Sequence, residues 1–182
     1  MAFKRYADAV WQGDLQAGKG SMSTPQSGLF AEQNYSFKTR FGDEKGTNPE
    51  ELLAAAHAGC FSMALSAILG KSGFTPDRIE TRAEATMDPG MDPGPTITGV
   101  NLIVKAKVPS ITKEEFQQIA ESAKAGCVIS RSLSVSVSRC LENARVSYGR
   151  PATVLSGSRT SAGAKEPNSS LSAKAHARST CG

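Results

Sequence analysis

The chain has 182 residues, four cysteines, two histidines and a formal net charge of +4. That is enough length for one domain with a substantial core, and too few cysteines for a disulfide scaffold. From Arg150 onward stand five basic residues (Arg150, Arg159, Lys165, Lys174, Arg178) and one acid, Glu166; subtracting these from 21 and 17 leaves 16 of each sign before residue 150, a neutral balance that argues against nucleic acid as the main partner.

No stretch reaches the roughly 18 uninterrupted apolar residues of a membrane span. Residues 1–8 contain no apolar signal core, so no membrane partner and a reducing cytoplasmic location are expected. Residues 3–11, 15–23 and 29–41 are short mixed segments with Gly-Asp and Gly-Lys-Gly punctuation; they predict an antiparallel N-terminal sheet. The first long helix is better marked. Asn48 is a good N-cap, Pro49 suits the first helical position, and Glu51 can close a capping box back to Asn48. Gly70 is the predicted stop. Between them the sequence is apolar nearly all round, which predicts a buried helix.

Residues 77–87 alternate, with Ile79, Thr81, Ala83, Ala85 and Met87 on one face and charges on the other. Residues 88–95 repeat Asp-Pro-Gly and predict a loop. Val100, Leu102, Val104, Ala106 and Val108 give the next strand one apolar face. Thr112 with Glu115 forms a second capping box, opening a helix to about Ala125. Leu133, Val135 and Val137 alternate with serines as a last strand. Strands, helix, two strands, helix, strand make an α+β domain over residues 1–149. Residues 150–182 are rich in Ser, Ala, Gly, Thr and Pro. Such a segment buries too little surface to offset its ordering entropy, so a disordered basic tail is expected.

The chemistry centres on two cysteines. Cys60 lies deep in the apolar helix. Free cysteine often packs as a small hydrophobe, so placement alone leaves it between a packing residue and a reactive thiol. Gly59 beside it costs about 1 kcal/mol against alanine in a helix, and marks tight packing or a close approach. A reactive thiolate needs nearby positive charge or donors. Three turns into a helix, the dipole has faded. Arg40 is the candidate cation, and Glu50 the candidate bidentate partner for its guanidinium. Their ordinary readings are a solvated strand-end arginine and a first-turn acid. Glu50 and Cys60 are ten residues apart, roughly 15 Å along a straight helix. Either Arg40 bridges the gap, or a second chain brings its own arginine and acid.

His57, three residues before Cys60, shares its helical face as a base, a hydrogen-bond partner or a satisfied core histidine. Cys127, after the Gly126 stop, could condense with an oxidised Cys60 if their Cα atoms come within roughly 4.4–6.8 Å. Cys140 and Cys181 read as bystanders. The spacing of Cys60, Cys127, His57 and Glu50 matches no common metal-ligand motif.

Several segments together resemble one family: Gly18-Lys19-Gly20, Thr39-Arg40-Phe41, the run from Glu44 through Gly46-Thr47-Asn48-Pro49-Glu50-Glu51-Leu52, Ala55-Ala56-His57-Ala58-Gly59-Cys60-Phe61-Ser62-Met63-Ala64-Leu65, and Ala123-Lys124-Ala125-Gly126-Cys127. They are similar to the OsmC branch of the OsmC and organic hydroperoxide resistance family over about residues 3–138. The resemblance implies antiparallel sheets packed around a buried central helix in an intertwined homodimer, with two sites at the subunit interface. It implies a thiol peroxidase that reduces organic hydroperoxides, and hydrogen peroxide less well. Cys60 would be the peroxidatic thiolate, Cys127 the resolving thiol, and Arg40 with Glu50 the activating pair; His57 matches the OsmC branch. No bound cofactor or metal is implied, and the reductant is an external dithiol such as a protein-bound lipoyl group. Two departures stand out: Val128 replaces the family's usual proline, and the chain continues past the last strand into the tail. The competing reading is a redox sensor or thiol-binding protein using the same two cysteines.

Overall fold

The computed structural model describes residues 1–141. The expected tail, with His176 and Cys181, lies outside the described residues. Two three-stranded sheets carry the α+β architecture. In the first, β1 (Asp8–Gln12), β2 (Lys19–Ser23) and β3 (Gln33–Ser36) pair antiparallel in chain order. Trp11 and Tyr35 pack across Gly20, with ring centroids 5.4 Å apart; a Cβ at Gly20 would collide with both rings. The segment expected to stay extended to residue 41 does not. Ser36 caps a short helix, α1 (Phe37–Phe41), through a reciprocal pair of bonds with Thr39. A serine three residues ahead of a hydroxyl partner offers the backbone this alternative to the ladder.

The long helix α2 (Pro49–Lys71) starts where its cap predicts. Asn48 Oδ1 accepts from the Glu51 N–H at 2.8 Å, while the reciprocal Glu51 bond of a full box is not formed. Asn48→Ala is expected to lower unfolding stability by about 1 kcal/mol, measurable as a shifted urea midpoint with an unchanged slope. Gly70 lies inside the helix; the chain turns at Ser72 and at Gly73, whose φ of +84° favours glycine.

The second sheet contains β4 (Arg78–Asp88), β5 (Thr96–Lys107) and β6 (Ser136–Leu141). The alternation in β4 appears directly as alternating exposure. β4 and β5 pair antiparallel around the Asp-Pro-Gly loop, but β6 runs parallel to β5. This sheet is therefore mixed rather than wholly antiparallel. The chain between β5 and β6 is long enough for the helical crossover that a parallel pair requires. It holds α3 (Lys113–Gly126), opened by the predicted Thr112–Glu115 box, and α4 (Val128–Ser132). The last strand was expected to start at Leu133; it starts at Ser136, after Leu133 ends α4 and residues 134–135 bend into the strand.

The core forms where α2, β5 and α3 meet. Phe61, Leu65 and Leu69 of α2 join Leu102, Val104, Ala106 and Val108, together with Ile111, Phe116, Ala120 and Ala123. His57, Phe61, Leu65 and Leu69 recur every fourth residue and are fully buried. The opposite face of α2 is exposed, with Met63 at 76%. Within one chain, then, this apolar helix buries one stripe rather than its whole circumference. α2 is also long and apolar enough to cross a membrane by length and composition, and its stripe through Phe61, Leu65 and Leu69 lies in the core cluster. A Cβ at Gly59 would meet nothing within 4 Å, so packing among the described residues does not explain that glycine.

Candidate dithiol site

The core contacts of α2 place Cys60 beside the junction of α3 and α4. Cys127 is that junction: it ends α3, with its N–H donated to the Ala123 carbonyl at 2.9 Å, and it is the N-cap of α4. The two sulfurs are 3.1 Å apart, although 67 residues separate them in sequence. Both are free thiols. A disulfide needs about 2.05 Å, so the pair is in contact and close to bonding distance. Cys127 is 1% exposed, and Cys60 is partly buried.

The electrostatics divide the pair. Burial pushes the Cys60 thiol up; the amides of Ile129 and Val128 pull it down but do not compensate. Burial also pushes Cys127 up, but there the amide of Ser130, the Cys60 thiol, the Ser130 hydroxyl and the Ile129 amide together hold it below the ordinary value. Groups at the start of α4 thus influence both thiols. Val128 occupies the first position of α4, which suits proline; proline there would lack the N–H that acts on Cys60. In a single chain Cys127 is the more acidic thiol, opposite to the order expected for an activated Cys60. Among the described residues no hydrogen bond or ion pair joins Arg40 or Glu50 to either sulfur.

Arg40 and Glu50 do find each other. Arg40 Nη2 donates to Glu50 Oε1 at 2.7 Å, and its Nε donates to Oε1 at 3.1 Å and Oε2 at 3.3 Å. The guanidinium carbon lies 4.9 Å from the Phe41 ring centroid, within cation–π range. The Arg40 side chain remains 36% exposed. Beside it opens a pocket of about 240 Å³ lined by Trp11, Leu15, Tyr35, Phe37 and Phe41, with Ser36 at the wall and Arg40 its one charged lining residue. The chain therefore carries a dithiol between α2 and the junction of α3 and α4, and separately an apolar pocket with an oriented guanidinium between the first sheet and α1. Arg40 sits on a short helix, not at a strand end.

His57 is fully buried. Its partner is Ser130, with Nε2 and Oγ 2.7 Å apart, rather than Cys60. Burial lowers its pKa below the usual 6.5. Sequence reasoning passed over Ser130; its spacing of three residues from an N-cap cysteine was the available signal, since that spacing brings a side chain back over the helix start.

A mixed α+β fold with two free cysteine sulfurs 3.1 Å apart defines the class: a small protein with an adjacent pair of thiols. The family model described as OsmC-like protein matches residues 42–139, a span that includes Glu50, both cysteines and all of α2. The chain is 47% identical over 137 residues to the Peroxiredoxin OsmC of Escherichia coli strain K12, covering 75% of this chain and 94% of that protein. It is 31% identical over 84 residues to the organic hydroperoxide resistance protein of Xanthomonas axonopodis pv. citri, covering 45% and 56%. Among solved structures, an OsmC-like protein of unknown function from Vibrio cholerae superposes with a TM-score of 0.61 at 15% identity, over 78% of this chain and all of that one, a likeness of fold. The chain belongs to the OsmC-like protein family.

Proposed function

We propose that this protein is a peroxiredoxin-type thiol peroxidase that reduces organic hydroperoxides to alcohols, and hydrogen peroxide more weakly. The observation that carries the reading is the 3.1 Å contact between Cys60 and Cys127. The names of the similar Escherichia coli and Xanthomonas proteins support the same class.

The Cys60 thiolate attacks the distal oxygen of ROOH, releasing ROH and leaving a sulfenic acid. Cys127 attacks that sulfur, water leaves, and a disulfide forms; an external dithiol, such as a protein-bound lipoyl group, restores both thiols. Cys60 needs a cation to ionise at neutral pH, and its own chain holds Arg40 elsewhere. The apolar exposed face of α2 around Gly59 and Met63, and the oriented Arg40 beside an apolar pocket, support a homodimer in which each subunit delivers Arg40, held by Glu50, to the partner's dithiol. Arg40 then lowers the Cys60 pKa and stabilises charge on the peroxide oxygens. The pocket's aromatic walls favour alkyl peroxides.

The test mixes reduced protein with cumene hydroperoxide and dithiothreitol. Steady peroxide consumption is the expected result; one round of oxidation without turnover would instead make the dithiol a sensor. In Cys127→Ser, mass spectrometry should find a trapped Cys60 sulfenate and no intramolecular disulfide. A normal internal disulfide in that variant would identify a different resolving partner.

A further inference from the structure

The Arg40 guanidinium is held on one edge and on one face. Glu50 takes the edge: Nη2 donates to its carboxylate at 2.7 Å, and Nε donates at 3.1 and 3.3 Å. The Phe41 ring takes the face, with the guanidinium carbon 4.9 Å from its centroid. Phe41 is itself packed. The Phe37 ring, one turn earlier on α1, lies 4.9 Å from it between centroids, at an interplanar angle of 40°; residues four apart share a helix face. Phe37, Arg40 and Phe41 all line the pocket of about 240 Å³.

The edge contact alone does not fix an arginine this accessible. Its side chain is 36% exposed, and there water competes for both partners of an ion pair. Two donors on one carboxylate also leave the guanidinium free to rock out of their common plane. A ring against the face opposes that motion, because the cation is attracted by the ring's quadrupole. A guanidinium carries five N–H donors. Glu50 engages the one on Nε and one on Nη2, and among the described residues Nη1 makes no hydrogen bond.

We propose that Phe41 is a positioning residue: its ring face and the Glu50 carboxylate together lock the Arg40 guanidinium, leaving Nη1 as the donor presented to the peroxide oxygens. The inference rests on the peroxidase reading and adds a residue to the same site. A donor fixed before the reaction needs no reorganisation as charge develops in the transition state. Phe41 also lines the apolar pocket, so contact with the alkyl group of the substrate is the competing account of this side chain. The two accounts differ for hydrogen peroxide, which has oxygens for Arg40 but no alkyl group for a wall.

The experiment measures the second-order rate of Cys60 oxidation by stopped flow, with cumene hydroperoxide and with hydrogen peroxide. Phe41→Leu keeps an apolar side chain and removes the ring face. It should slow both peroxides about 3- to 10-fold, and Phe41→Tyr should restore both. A loss confined to cumene hydroperoxide would overturn the inference in favour of a pocket wall, and so would unchanged rates with both. Fluorinated phenylalanines in place of Phe41 keep the shape while weakening the negative ring face, so the rate should fall stepwise with the number of fluorines; a flat series would also overturn it. One readout is independent of peroxide: solvent exchange of the Arg40 Nε–H, followed by NMR in the reduced protein. Exchange should be about 3-fold or more faster in Phe41→Leu than in the wild type, and equal exchange would overturn the link between Phe41 and Arg40. Absent peroxide consumption by the wild type would strike the peroxidase reading instead, and the exchange comparison would still decide the Phe41 contact.

Discussion

Cys60→Ser is expected to lower peroxide consumption by roughly a thousandfold or more, since removing a nucleophile removes the covalent step and not merely a stabilising contact. The substitution exchanges sulfur for oxygen at a partly buried position in α2, so the fold should survive and the urea midpoint should stay close to that of the wild type. Cumene hydroperoxide with dithiothreitol as reductant is the measurement. Unchanged consumption would remove Cys60 from the reaction. The remaining question would then be whether Cys127, the more acidic thiol of the single chain, is the attacking group. The sulfur that acquires a dimedone label after one equivalent of peroxide answers it directly.

The second large effect concerns the cation. Arg40→Met removes the guanidinium that Glu50 orients through three hydrogen bonds, and should lower consumption about 100- to 1,000-fold while raising the Cys60 pKa. Arg40 lies away from the dithiol in its own chain, so a complementation experiment locates where it acts. Arg40→Met and Cys60→Ser chains, each nearly inactive alone, are unfolded together and refolded as a mixture. If Arg40 serves the partner's Cys60, each mixed dimer contains one intact site, and the mixture regains about one quarter of wild-type activity by random pairing of two subunits. If Arg40 serves its own chain, no dimer contains an intact site, and the mixture stays as inactive as its components. That second result would overturn the shared-site arrangement.

Much of the fold was legible because local signals and burial agreed. Asn48 and Thr112 each stop backbone N–H groups from being orphaned, so their helices could be placed within a residue. The alternation of β4 and the apolar face of β5 followed the side-chain period of a strand. The misses fell where local preference and tertiary context diverge. Phe37–Phe41 carries strand-like aromatics, but the Ser36–Thr39 cap turns it into α1. Val128–Ser132 falls between the expected helix and the expected last strand, yet it forms α4 within the crossover from β5 to the parallel β6. α2 was expected to be buried all round, and one chain buries only the stripe through His57, Phe61, Leu65 and Leu69.

The site divides in the same way. Residue type and motif likeness picked out Cys60, Cys127, Arg40, Glu50 and His57, because thiols, a guanidinium and a buried imidazole are scarce and chemically distinctive groups. The Arg40–Glu50 pair was also within reach of the sequence, since a short connection joins α1 to the first turn of α2. What sequence alone did not determine is which groups touch. The contact of Cys60 with Cys127, the turn of His57 toward Ser130, and the separation of Arg40 from both sulfurs all depend on how α2, α3 and α4 pack. Contacts between residues tens of positions apart are selected by the burial of a shared core and not by local preference, and only the folded chain brings 67 residues of sequence down to 3.1 Å.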